Sequence, residues 1–596
     1  MLTRIFLEAL ACSFPAPNPA LLKTMNLNLD AKKGMTYDAI VVGSGISGGW
    51  AAKELTQKGL KVLMLERGPD LKHVTDYPTA MKDPWEFPHR GKIELWAAEE
   101  YWANARSGGK PGEDQRHMFT KDVDFPYIEK RPYDWIRGYH LGGRSLMWGR
   151  QSYRLNERDF TANLEDGHGV DWPIRYKDLA PWYSYVERFA GISGNKDGLA
   201  VLPDGDFVPP MQMNSIELKA KEGIEKNFKG RHLVIGRPAI ISVAQKVHTD
   251  LGRASCQFRN LCVRGCPFGA YFSTQSSTLP AAMKTGNLTI ITDKIAYQVI
   301  YDDQKGKATG VRVIDQNTKQ QQEYYAKIIF LNASTINTAW IMMQSTSKRF
   351  PNGLGNDSDQ LGRNLMDHHL GAGASGEFEG LQEWYYYGRR GNGIYIPRFA
   401  NWGDDKRKDF VRGFGYQGRG ARQDWVAGAS KEGFGPEFKD NLTKPGRWEF
   451  NIGGFGETLP DPNNRMRLSG KKDKWGLPIV EFDAGWGENT VGMRKAMMND
   501  AAEMLEAAGL KNIKTRNDQD KNQGIGIHEM GSARMGRDPK TSVLNAWNQV
   551  WGAKNVFVTD GAAMVSSSCV NPSLTYMALT ARAADYAVRE LKRMNL

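Results

Sequence analysis

No run of about 18 apolar residues occurs in the 596-residue chain, so it is not expected to have a transmembrane helix of its own. Long blocks of one charge are missing too. Lysine and arginine number 79 against 67 acids, a formal net charge of +12, but the cations are scattered among the acids. That pattern describes a solvated surface suited to an acidic protein partner, and it does not indicate nucleic acid. No segment recurs at a fixed period. A clear export signal is also lacking. Arg4 precedes a short apolar patch at residues 5–11, but Glu8 breaks it, and Ala-Leu-Ala before Cys12 is a faint likeness to a lipoprotein cleavage site. Residues 1–34 therefore read as a loose tail, with Met25 and Met35 as alternative starts. Cysteine is scarce, with five in all: Cys12, Cys256, Cys262, Cys266 and Cys569. The rest is ordinary for a soluble protein, 40% hydrophobic and 24% charged, and long enough for two or more cores.

The most informative stretch is residues 37–67. An apolar run at residues 39–42 reads as a buried strand, and Gly43, Gly45 and Gly48 follow as G-x-G-x-x-G. A helix over residues 50–58 and a second apolar strand ending in Glu66 complete the unit. The physics suits a dinucleotide. Gly43 permits the tight turn, Gly45 lets backbone approach a pyrophosphate, and Gly48 lets the helix pack on the strand. The helix N-terminus offers free N–H groups, and Glu66 can accept from ribose hydroxyls. The turn alone does not distinguish NAD from FAD.

Residues 71–130 carry Trp85, Trp96 and Trp102 and read as an excursion from the nucleotide fold, a lid. A second glycine pair follows in Leu141-Gly142-Gly143-Arg144-Ser145-Leu146-Met147-Trp148-Gly149, which suits backbone pressed against a flat ligand. Strand patterns at residues 289–300 and 308–331 complete the nucleotide domain. The block at 368–515, rich in glycine and aromatics, reads as a second domain on an antiparallel sheet. The expected fold is α/β: a Rossmann-like nucleotide domain from residues 36–195, 251–367 and 516–596, and a substrate domain from 196–250 and 368–515.

Three late signals carry chemistry: His528 in HEMGSARMG, Asp560-Gly561 after a strand at 554–559, and Asn571 before Pro572. Proline suits a first helical turn, which makes Asn571 the cap of a helix over 572–592 whose positive end faces whatever Asn571 faces. The order of the glycine turn with Glu66, the LGGRSLMWG stretch, the His528 motif and the Asn571-Pro572 pair resembles the glucose–methanol–choline (GMC) family of FAD oxidoreductases over residues 36–596. That resemblance implies FAD, held by the N-terminal turn, by the Gly142, Gly143 and Ser145 stretch, and by Asp560 and Gly561. It implies that His528 takes an alcohol proton while a carbon-bound hydride passes to the flavin, and that Asn571 holds the same hydroxyl. Met147 stands where pyranose oxidases of the family attach flavin through histidine, which implies non-covalent FAD. The other nine histidines are given structural roles.

Cys256, Cys262 and Cys266 form C-x5-C-x3-C in a glycine-containing loop. Soft thiolates select iron–sulfur or zinc, and a disulfide with one spare thiol is the third option. The spacing resembles the catalytic subunits of bacterial FAD-dependent glucose dehydrogenase complexes, relatives of gluconate and glucoside 3-dehydrogenases, where three cysteines hold a [3Fe–4S] cluster. This resemblance implies a dehydrogenase with a cytochrome c acceptor and a small subunit that carries the export signal. It also implies a periplasmic, membrane-peripheral location, with the cytoplasm as the alternative. Cys569, close to Asn571, is assigned to the flavin site.

A sugar pocket needs aromatic platforms and fixed polar groups. Trp384 to Tyr387 with Tyr386 foremost, Arg389, Arg390 and Gln151 are candidates, and Glu457 is a candidate to orient His528 or bind substrate. The family likeness favours a glucoside oxidised at carbon 3. Two other readings stand beside it. One is a gluconate, glucose or other alcohol dehydrogenase or oxidase with a structural metal or no cluster, and the other a non-catalytic flavoprotein relaying electrons.

Overall fold

The computed structural model describes residues 36–596 apart from 89–92, 109–111, 385–387, 389 and 423–432. The tail, Tyr386 and Arg389 lie outside the described residues. Among those described, no helix is long and apolar enough to cross a membrane.

Eight described strands form the nucleotide sheet, in the order Gln549–Val550, Ala553–Val558, Gln321–Leu331, Thr36–Val42, Val62–Leu65, Leu288–Ile291, with Lys294–Asp302 and Lys307–Asp315 extending it from Gln321–Leu331. The central pairs are parallel: Ala39 opposes both Val62 and Ile328. Strands covered on both faces read as continuous apolar runs, which is why residues 39–42 carry no alternation. The helix Ile46–Gln57 lies on this sheet against the C-terminal helix Ser573–Lys592. Small residues meet there, Ala51 and Ala52 against Ala583, Ala584 and Ala587 in one core, so the two helices can approach closely.

The second sheet is antiparallel, in the order Lys511–Asn517, Ala372–Phe378, Trp448–Gly456, Phe414–Arg422, Ile394–Ile396, Val234–Ile235. Its strands alternate as a half-covered sheet must. Trp448, Phe450 and Ile452 join the core shared with Met497, Ala501 and Leu505 of the helix Glu488–Ala507 and Ile216 and Ala220 of the helix Ser215–Asn227. Phe455 has the opposite parity and shares its face with Gln417, since Gly415 opposes Phe455 and Gln417 opposes Gly453. That face looks onto the nucleotide body.

The hairpin Arg465–Lys472 and Pro478–Asp483 belongs by sequence position to the substrate block, yet it pairs with Ile128–Glu129 and packs in the large core of the nucleotide body. Phe482 stacks on Tyr133 at 4.2 Å, which sets its place. Arg390, a candidate sugar ligand, is used elsewhere: its Nη2 donates to both carboxylate oxygens of the buried Glu217 at 2.6 Å. Glu217 also accepts from the backbone of Asn214 and Gly420, tying the helix Ser215–Asn227 to the sheet. A Glu217→Ala protein is expected to lose roughly 3–5 kcal/mol in urea unfolding, because a guanidinium is left without its carboxylate. A loss under about 1 kcal/mol would show the tie to be dispensable.

Candidate active site

One cleft of about 500 Å³ lies between the two sheets. Its lining includes Gly43, Gly45, Glu66, Gly143, Ser145, Gln151, His528, Asp560, Gly561 and Asn571. Segments far apart in the chain thus meet at one surface. Gly48 sits one layer behind, where a Cβ would lie 1.9 Å from the Gly43 carbonyl oxygen. Gly43 has a φ of +92°, and a Cβ there would strike the Asn332 carbonyl at 2.3 Å. At Gly45 a Cβ would meet nothing within 4 Å, so this glycine faces open cleft. The two glycine turns are stitched together: the Gly142 N–H donates to Ser44 Oγ at 2.8 Å, and Ser44 Oγ donates to Glu66 Oε2 at 2.5 Å. Burial raises the Glu66 carboxyl, and N–H donation from Gly68 and Ser44 opposes this. Asp560 accepts from Ala562 N at 3.0 Å and from Thr338 Oγ1 at 2.6 Å, with burial lifting its carboxyl to about 6. This donor and acceptor set fits a dinucleotide.

A second group of lining residues lies beside the antiparallel sheet. His528 is half-buried and opens onto the cleft. Its Nε2 lies 3.4 Å from Asn571 Nδ2, while Gln417 Nε2 donates to Asn571 Oδ1 at 2.6 Å. The Phe455 ring flanks the imidazole with centroids 6.0 Å apart. Burial, then the neighbouring His368 and Arg144, hold His528 well below its ordinary 6.5. Arg144 and Glu529 form a bidentate pair at 2.9 and 2.6 Å, locking the second glycine stretch to the His528 motif. The C-terminal helix begins at Ser573 with Pro572 at its cap position. It thus starts one residue later than proline preference suggests, because the Asn571 side chain is engaged by Gln417 and His528 instead of the helix N–H groups.

Other predicted residues are placed as follows. Gln151 lines the cleft but exchanges hydrogen bonds with Asn392 at 2.5 and 3.1 Å. Glu457 is not on the lining and does not touch His528: Arg412 holds it at 2.6 Å, and it accepts from Ser568 N. The ring that reaches His528 is His368, Nδ1 to Nδ1 at 2.9 Å. Sequence reasoning passed over His368, Gln417 and Phe455. The run Asp367-His368-His369 was the available signal for the first.

Cys256, Cys262 and Cys266 line one small cavity and are not disulfide-bonded. The cavity is about 20 Å³. Among the described residues no three-ligand group of His, Cys, Asp or Glu is drawn together. As folded here, the loop does not fit the cluster. Cys569 is buried, and its thiol is pushed up to about 12 by burial.

Two family models described as GMC oxidoreductase match residues 37–370 and 460–580, and the chain belongs to this family of FAD oxidoreductases acting on CH–OH groups. It is 30% identical over 566 residues to 2-methyl-1,2-propanediol dehydrogenase of Mycolicibacterium austroafricanum, covering 93% of this chain and 95% of that one. It is 26% identical over 572 residues to the fructose dehydrogenase large subunit of Gluconobacter japonicus, covering 94% and 99%. Its fold is similar to that of pyridoxine 4-oxidase from Mesorbium loti, with a TM-score of 0.58, 15% identity, and 93% and 99% coverage.

Two predictions follow from the geometry. Gly45→Ala is expected to purify largely without FAD and to unfold at the Tm of FAD-free wild type, whereas Gly48→Ala is expected to lose roughly 1–3 kcal/mol of stability relative to that FAD-free reference as well. Equal behaviour of the two variants would contradict the assigned layers. The second concerns acid. Burial lowers His368 to about 4 and His369 well below 6.5. The unfolded chain therefore binds more protons below pH 6.5, so stability is full above that pH and falls as pH drops towards 4, with His368 alone accounting for something on the order of 3 kcal/mol. A Tm that stays flat from pH 7 to 4.5 would refute the neutral assignment.

Proposed function

We propose that the chain is an FAD-dependent dehydrogenase that oxidises a ring hydroxyl of a sugar, at carbon 3 of a glucoside. The observation that carries this reading is the convergence of His528 Nε2, Asn571 and the Phe455 ring on the dinucleotide cleft. The names of a propanediol and a fructose dehydrogenase among the relatives support a polyol substrate. The ring position rests on the resemblance to glucoside 3-dehydrogenases.

Bound non-covalently in the cleft, FAD supplies the two-electron acceptor for the carbon being oxidised. The chain supplies the rest. His528, kept neutral by burial, offers Nε2 to the hydroxyl proton. Gln417 fixes the Asn571 amide so that Nδ2 donates towards the same oxygen. The N-terminus of the helix Ser573–Lys592 points positive charge at the cleft, where negative charge builds. Phe455 and Trp148 present flat faces for the C–H side of a sugar ring while restricting water.

The second part of the reading is a [3Fe–4S] cluster on Cys256, Cys262 and Cys266, a cytochrome-type acceptor and a small export partner in the periplasm. Three unpaired thiols lining one cavity support it, as does a relative named as a large subunit. Cluster binding requires the loop to open and to release protons, since burial pushes the Cys256 thiol up to about 11. The lack of a gathered three-ligand group among the described residues favours a second reading, the same alcohol oxidation with no cluster and another acceptor.

Metal analysis and spin-resonance spectra of anaerobically purified protein separate the two. Three irons per chain with a cluster signal support the first, and iron-free protein that still reduces dye with sugar supports the second. His528→Ala is expected to retain FAD and to reduce it roughly 10²–10⁴-fold more slowly. Wild-type speed in that variant would remove the base assignment. Locating the new carbonyl on the product tests the carbon-3 assignment directly.

A further inference from the structure

His368 is fully buried, and both ring nitrogens are engaged. Nε2 lies 2.8 Å from the Ser568 carbonyl oxygen, and Nδ1 lies 2.9 Å from Nδ1 of His528. A carbonyl oxygen only accepts, so Nε2 of His368 carries a proton. A neutral imidazole has one N–H, which leaves a lone pair on Nδ1 of His368. The proton between the two rings therefore sits on Nδ1 of His528. By the same count, Nε2 of His528 is bare, and it faces Asn571 Nδ2 and the cleft. The far end agrees: with Asn571 Oδ1 held by Gln417, it is a donor that meets this lone pair.

We propose that His368 is a positioning residue that, anchored on the Ser568 carbonyl, forces the tautomer of His528 whose Nε2 accepts the substrate proton. This rests on the reading of His528 as the base. The anchor is itself held. Ser568 adopts a φ of +54°, uncommon for a residue with a side chain, and its N–H donates to Glu457 Oε1 at 3.2 Å. Glu457 is fixed by Arg412. The carboxylate that the sequence offered as a partner of His528 thus acts three links away. Both histidine backbones are set by one oxygen, since His368 N and His528 N donate to Asp367 Oδ1 at 2.9 and 3.0 Å. The rings meet edge to face, 5.0 Å apart at 87°.

In the step this arrangement serves, the substrate O–H bond breaks and an Nε2–H bond forms on His528. The C–H bond breaks as the O–H electron pair closes the C=O bond, and its hydrogen with the electron pair would pass as hydride to FAD, as in the function proposed above. The resulting imidazolium keeps its Nδ1–H on the His368 lone pair, a neutral partner in place of the usual carboxylate. The charged groups facing the pair are Arg144 with Glu529, Asp367, and Glu457 with Arg412. All are bound to one another or to backbone.

The test compares FAD-loaded His368→Phe, His368→Gln and His528→Ala by stopped-flow flavin reduction across pH 5–10. His368→Phe removes the acceptor and frees the other tautomer. Its reduction rate is expected to fall on the order of 10²-fold at neutral pH with KM little changed, and to climb with pH where the wild type is flat, because hydroxide then takes the proton. Glutamine can donate to Ser568 and accept from His528, so His368→Gln is expected to recover most of the rate and the flat profile. A His368→Phe protein with the wild-type rate and profile overturns the proposal while leaving His528 as base. So does His368→Gln as slow as His368→Phe at full FAD content and unchanged Tm, a comparison that also decides the matter if the phenylalanine variant does not fold. Wild-type speed in His528→Ala would instead overturn the underlying reading.

Discussion

The site depends on one buried carboxylate. Asp367 has no solvent exposure and accepts four backbone N–H groups, from His368, Gly524, Gly526 and His528. Those donors come from two segments: the entry to the strand Ala372–Phe378 and the loop carrying the His528 motif. Burial lifts the Asp367 carboxyl to about 7, with nearby Glu529 adding to the rise and the backbone donors opposing it. A carboxylate so enclosed is costly unless every lone pair is used, so the clamp is sharp in geometry as well as strong. It joins the antiparallel sheet to the nucleotide body at the point where His528 is held.

Around this clamp the two halves of the molecule divide the work. The parallel sheet and its glycine turns present backbone that fits a dinucleotide, with Glu66 and Asp560 both on the cleft lining. The antiparallel sheet turns one face to its helices and shows Gln417 and Phe455 to the cleft. The Arg144–Glu529 pair ties the second glycine stretch to the loop that carries His528. Residues hundreds of positions apart are thereby brought to one cleft.

The local parts of this scheme were legible in the sequence. Glycine spacing with an acid at the end of the next strand states its own chemistry, and the parallel sheet follows from unbroken apolar runs. The motifs around His528, Asp560 and Asn571, picked out because their order resembles a family, meet at one cleft. What stayed hidden depends on contacts between distant segments. His368 is an ordinary histidine until the fold sets it 2.9 Å from His528. Phe455 and Gln417 lie on alternating strands, but parity does not say which face meets a ligand. The hairpin Arg465–Lys472 and Pro478–Asp483 was grouped with its neighbours in sequence, whereas its partner strand lies at Ile128–Glu129. Glu457 was a candidate to orient His528 or bind substrate, but in the fold Arg412 holds it.

The most direct test of the central claim is anaerobic mixing of FAD-loaded protein with a panel of sugars and glycosides, followed by the absorbance of the oxidised flavin. The account predicts that a pyranoside bleaches the flavin in a single exponential that saturates with concentration and slows when the reacting carbon bears deuterium. A fully loaded protein whose flavin no polyol bleaches would contradict it.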